Sequence, residues 1–151
     1  MADLEKVHIK LGLSGTYWNK KPQYRVSVND QVLSKNFITA ASGVVEYIEF
    51  DVEYVTDTVT LKIELLNKTH EDTKKDNYED PVNFKIIDDM LLNINSIEVD
   101  EIDLGQVPFN MSEYTPVSFK EPIKHCVNLG MNGAWTLTWT NPFYLWLLEN
   151  M

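Results

Sequence analysis

"GAWTLTWTNP", Gly133 to Pro142, is the stretch on which the fold reading turns. Trp135, Leu137 and Trp139 alternate with Thr136, Thr138 and Thr140. A period of two puts large apolar side chains on one face and hydroxyls on the other, which is the pattern of a half-buried strand. Pro142 has no N–H for a ladder, so the strand ends there.

The same alternation recurs along the chain. In "KVHIKLGL" it runs through Val7, Ile9, Leu11 and Leu13. "QYRVSVNDQVL" sets Tyr24, Val26 and Val28 against Arg25 and Ser27, then turns at Asn29-Asp30 and resumes at Val32-Leu33. "VVEYIEFDVEYV" alternates Val45, Tyr47 or Ile48, Phe50, Val52 and Tyr54 with acids, and its phase slip at Tyr47-Ile48 suggests a bulge or a two-sided strand. "DTVTLKIELLN" aligns Val59, Leu61, Ile63 and Leu65. In "DMLLNINSIEVDEIDLG" the spacing of three between Ile94 and Ile97 marks a bulge or a bend. "PVSFKEP" reads as a short edge strand between prolines. Helical periodicity is almost absent. Seven to nine such strands define an all-β chain, an antiparallel β-sandwich or barrel with little helix.

Length and composition fit one domain over residues 1–151. The chain is 44% hydrophobic and 24% charged, with a formal net charge of −10. That charge argues against nucleic acid as a partner and against an anionic membrane surface. The single cysteine, Cys126, excludes an internal disulfide framework. Met1 to Lys10 carries no apolar signal-peptide core, so synthesis in the cytoplasm without a signal peptide is expected. No apolar run reaches the length of a membrane-spanning helix, so no membrane insertion is expected.

No catalytic constellation emerges. His125 and Cys126 are adjacent, which on a strand points their side chains to opposite faces. No nucleophile elbow, phosphate loop or HExxH helix is present, so the chain does not read as an enzyme.

Three other features carry candidate sites. Residues 67–89 form a long acidic loop with seven acids, including Asp72, Asp88 and Asp89, and four lysines among them. Calcium takes six to eight oxygens from carboxylates, amides and carbonyls, which such a loop can offer. In "SGTYWNKKPQY", Tyr17, Trp18 and Tyr24 cluster about a turn beside amide and lysine donors, a combination suited to stacking on sugar rings. Finally, residues 142–151 end the chain on an apolar segment with Phe143, Tyr144, Trp146 and Leu147. Burying such side chains is worth up to roughly 1.5–3 kcal/mol each. The segment is expected either to fold back over the sandwich, as a short strand or a helical turn, or to dock on another subunit.

"VTLKIELLN", an acidic gap and "DDMLLNINSIEVDEIDLG" together resemble a signature of small calcium-dependent xylan-binding modules. The resemblance implies a jelly-roll sandwich and places its Asn and Asp on Asn67 and Asp89; with the acids of the loop, Asn67, Asp72, Asp88 and Asp89 are the candidate calcium ligands. Met90-Leu91 and Glu101 depart from the polar pair and turn glycine of that pattern. In general character the chain also resembles accessory virion proteins of tailed phages of marine cyanobacteria. Two function classes follow. One is a non-catalytic structural or decoration protein, in a virion by that second resemblance, whose partners are protein subunits of an assembly. The other is a glycan-binding module, with calcium as its cofactor and a polysaccharide as its partner.

Overall fold

The computed structural model describes residues 5–54 and 57–151. Among the described residues thirteen strands follow in order: β1 (Glu5–Thr16), β2 (Gln23–Val28), β3 (Gln31–Phe37), β4 (Glu46–Tyr54), β5 (Thr58–Leu65), β6 (Lys74–Lys75), β7 (Ile86–Asp88), β8 (Leu91–Val99), β9 (Ile102–Asp103), β10 (Glu113–Pro116), β11 (Ile123–Lys124), β12 (Asn128–Leu129) and β13 (Gly133–Thr140). Eight of these are four residues or longer, which matches the seven to nine expected; the others are two- or three-residue pairings too short to show a period. A 3₁₀ turn covers His70–Asp72, and two helices, α1 (Val107–Met111) and α2 (Phe143–Asn150), complete the chain.

The long strands form an antiparallel sandwich. One sheet has the order β12-β8-β1-β4, with β9 on β8; the other has the order β11-β10-β13-β5-β2-β3. The chain crosses repeatedly between them, so each sheet supplies one wall of a shared core. Val7, Ile9, Leu11 and Leu13 of β1 face Val59, Leu61, Ile63 and Leu65 of β5 and Trp135, Leu137 and Trp139 of β13, and all are buried. The alternation seen in sequence is therefore the inner-facing set of each strand. The β2–β3 turn is made by Asn29 and Asp30, both with positive φ (47° and 67°), the left-handed pair that a tight hairpin turn requires.

Of the bulge or bend expected near Asn95-Ser96, the structure has the bulge. Gly12 pairs with Ser96 while Leu13 pairs with Ile94, so Asn95 is the extra residue on β8. Its Oδ1 accepts a hydrogen bond from Ser14 Oγ at 2.7 Å. Gly12 leaves room for Ser96 at this crossing, since a Cβ there would lie 2.5 Å from Ser96 Oγ and the hydroxyl would have to move.

Three expectations are corrected. No bulge interrupts β4 against β1: the register is unbroken from Leu13–Glu46 to Glu5–Tyr54. Ile48, Phe50 and Val52 take the inner face, and Tyr47 points outward opposite Gly12, its ring 5.0 Å from the Lys10 ammonium. The side chain of Tyr54 and Val55 lie outside the described residues. The strand read in "PVSFKEP" lies earlier, at Glu113–Pro116, since Pro116 ends the ladder and Val117 beyond it is solvent-exposed. The apolar end of the chain is a two-turn helix rather than a strand or a single turn. On α2, Phe143, Trp146 and Leu147 sit at i, i+3 and i+4 and are buried. Phe143 meets Trp139 edge-on at 5.6 Å and lies 6.0 Å from Trp146. No described helix is long and apolar enough to cross a membrane.

Candidate functional site

The loops at one end of the sandwich converge on residues 17–21, 67–75 and 128–132. Their anchor is Asp72, whose side chain is 1% exposed although it belongs to an acidic loop. A buried carboxylate must be fully partnered, and this one is. Its Oδ1 accepts from Asn19 Nδ2 at 3.0 Å. Its Oδ2 accepts from the Thr69 amide at 2.8 Å and the Thr69 hydroxyl at 3.1 Å, and it is 3.0 Å from Lys20 Nζ. Burial alone would push the carboxyl pKa up. The Thr69 amide, Asn19, Lys20 and the Thr69 hydroxyl outweigh that and hold it at about 2.

Trp18 hangs on this anchor. Its Nε1–H donates to the Asp72 backbone carbonyl at 2.9 Å, and the indole remains 45% exposed. Lys74 of β6 sits over the ring, 5.8 Å from its centroid. Tyr17 is half-buried; its hydroxyl donates to Ala40 O at 2.9 Å, which fixes it as a support for the loop. Tyr24 does not join them. It points inward on β2 and is 2% exposed, so it belongs to the core and not to a sugar-facing surface. Its place in the alternation with Val26 and Val28 already carried that signal. Beside the His70–Asp72 turn lies a shallow groove of about 290 Å³, lined by Lys68, Thr69, His70, Thr73, Gly130, Met131 and Asn132.

The residues assigned to calcium by resemblance do not gather into a cation site. Asn67 acts as a backbone clamp: its Oδ1 accepts from the Gln23 amide at 2.8 Å and its Nδ2 donates to Lys21 O at 3.0 Å. Asp89 Oδ1 accepts from Thr73 Oγ1 at 2.7 Å and from the Met90 amide at 2.9 Å, and pairs with Lys68 Nζ at 2.6 Å. Burial raises the Asp89 carboxyl pKa, but Lys68, Thr73 and the Met90 amide outweigh it and lower it. Asp88 is half-buried on β7, in register with Lys74. Among the described residues no three His, Cys, Asp or Glu side chains come together as a metal site. Asn67, Asp72 and Asp89 instead face N–H, O–H and ammonium donors of the chain itself, an environment that does not fit a cation.

Sequence reading missed the residues that organise this end. Lys68 reaches Gly130 O at 2.6 Å as well as Asp89. Asn132 binds the Lys68 backbone twice, Oδ1 to its amide and Nδ2 to its carbonyl, both at 2.8 Å. The signal available was four lysines among the acids of the loop, a ratio that invites internal pairing.

The apolar tail divides by face. Phe143, Trp146 and Leu147 are spent on the chain's own core, which removes them from any docking surface, while Tyr144 is 59% exposed. Its neighbours Leu145 and Leu148 are also exposed.

No family profile matches the chain, and no curated protein matches it in sequence. Among solved structures it is similar to the module vCBM60 in complex with galactobiose. That likeness has a TM-score of 0.53 and 13% identity, and covers 86% of this chain and 96% of that one. A selenomethionine form of vCBM60, described in terms of circular permutation linking two families of calcium-dependent carbohydrate-binding modules, gives a TM-score of 0.51 at 14% identity. It covers 87% of this chain and 89% of that one. These likenesses support the resemblance to calcium-dependent carbohydrate-binding modules and do not support the one to phage virion proteins. The all-β sandwich of this chain is the fold of those modules.

Proposed function

We propose that this chain is a non-catalytic carbohydrate-binding module that recognises a polysaccharide through Trp18 and the loops around it. The observation that carries the reading is the pinned, exposed indole. Trp18 presents 45% of its surface, yet its N–H is fixed to the carbonyl of a fully buried residue. A ring held in place before binding loses little freedom when a sugar stacks on it. Lys74 over the ring and the groove of Thr69, His70, Thr73 and Asn132 supply donors and acceptors for hydroxyl groups. The likeness to carbohydrate-binding modules supports the same class.

The test is affinity electrophoresis and calorimetry of the intact chain against a panel of soluble polysaccharides. Galactans lead the panel because a similar module is seen with galactobiose, and xylans follow. Retardation by at least one glycan that is lost in Trp18→Ala supports the proposal. Binding to none of the panel, or binding that survives Trp18→Ala unchanged, overturns it.

A second reading is favoured by a different observation. The outer face of α2 leaves Tyr144, Leu145 and Leu148 in solvent, an apolar patch suited to a protein subunit. Light scattering tests it: a mass above that of one chain, returned to one chain by Tyr144→Ser with Leu148→Ser, is its expected result.

A further inference from the structure

Calcium-dependent modules share this fold, yet here the carboxylates at the loop end already face cations that the chain itself provides. Lys20 Nζ lies 3.0 Å from Asp72 Oδ2 and 3.3 Å from Thr69 Oγ1. Lys68 Nζ lies 2.6 Å from Asp89 Oδ1 and 2.6 Å from Gly130 O, with its side chain only 12% exposed. The second ammonium thus bridges a carboxylate and a carbonyl from two different loops, as a bound metal ion does. It ties the segment after β5 to the start of β8 and to the β12–β13 turn. Asp72 accepts from three further donors, two on Thr69 and one on Asn19. A divalent ion entering here would have to displace an ammonium and break hydrogen bonds to a buried carboxylate, which is costly without full replacement.

We infer that Lys20 and Lys68 supply internally the positive charge that a divalent cation would otherwise bring to these carboxylates, so that the loop end is closed without one. Lys68 is the principal bridge, being the more buried and the one that spans two loops. The inference concerns the closed state of the loops, so it stands apart from whether a sugar binds there.

Thermal melting of the intact chain in EDTA, in calcium and in magnesium tests it. The three midpoints are expected to coincide. A ligand that binds only the folded state must raise the midpoint as its concentration rises. A rise specific to calcium, or a fall in EDTA, overturns the inference. The variant Lys68→Met keeps the aliphatic stem and removes the charge. It is expected to melt roughly 3–10 °C lower than the parent in all three buffers. An unchanged midpoint would overturn the bridging role. Should Lys68→Met fail to fold, the parent's metal response still decides the matter, and Lys20→Met, at a more exposed lysine, gives the second reading of a smaller drop.

Discussion

The indole Nε1 of Trp18 and the backbone carbonyl of Asp72 are 2.9 Å apart, and this bond joins the most exposed aromatic of the β1–β2 loop to the most deeply buried acid among the described residues. Position and charge at the loop end are therefore coupled: whatever loosens Asp72 also loosens the ring.

Two substitutions separate the ring from its tether. Trp18→Ala removes the stacking surface and is expected to weaken polysaccharide binding at least tenfold, on the scale of about 1.4 kcal/mol or more for an aromatic anchor. Trp18→Phe keeps a ring but loses the N–H, and should bind with intermediate affinity. Calorimetry reads both. Circular dichroism should show the sandwich intact, because Trp18 is half outside it.

Acid should weaken the fold through Asp72. Its carboxyl is held at about 2 in the folded chain against an ordinary value of 3.8. The stabilisation is present above the unfolded value and is lost as pH falls from about 4 through 2. It amounts to roughly 2–3 kcal/mol. Asp89 is lowered in the same direction and adds to the loss. His8 works oppositely. Asp51 and Glu49, at 2.8 and 3.1 Å, raise its pKa, so its contribution is complete below the ordinary imidazole value and fades as pH rises through the folded one. Denaturant melts from pH 2 to 8 should show the acid limb in the parent, and a flatter limb from a lower plateau in Asp72→Asn.

The two faces of α2 should respond in opposite ways. Trp146→Ala opens a cavity against Phe143 and is expected to cost about 3–5 kcal/mol. Tyr144→Ala lies on the outer face and should change stability by no more than about 0.5 kcal/mol. Chemical denaturation of both variants gives the contrast directly.

Gly133→Ala should be among the most damaging single methyl additions. The new Cβ would press on the Thr115 carbonyl and lie 2.5 Å from Pro116 Cα, and backbone cannot step aside as a side chain can. A loss of about 2–3 kcal/mol is expected, on the scale of core overpacking. Gly12→Ala should cost less, because it meets the movable Ser96 hydroxyl. Urea midpoints rank the two.

The sandwich was legible because its strands alternate cleanly. Val7 to Leu13, Val59 to Leu65 and Trp135 to Trp139 each bury the face that the period of two selects. The bulge at Asn95 was legible for the same reason, as a break in that period. The slip at Tyr47 misled because an aromatic ring can lie over Gly12 and Lys10 on the solvent side as comfortably as in the core. α2 was hard to see because Phe143 to Leu148 is apolar all round, so no helical stripe stands out. Tyr24 stands near Tyr17 and Trp18 in sequence, but its own strand turns it inward. The pairing of Lys20 with Asp72 and of Lys68 with Asp89 depends on contacts between distant loops, which composition records only as a mixture of signs.

β1 lies between β4 and β8, and β13 between β10 and β5. Ile9 is paired with Phe50 on one side and Val99 on the other, and Trp135 with Ile63. The innermost ladders thus join residues that are far apart along the chain, and long loops must close before those contacts form. Chains built this way cross a high entropic barrier, and refolding on the timescale of roughly milliseconds to seconds is the corresponding expectation. During that interval the inner faces of β1 and β13 are uncovered, which makes dilution a better route to the native sandwich than concentration.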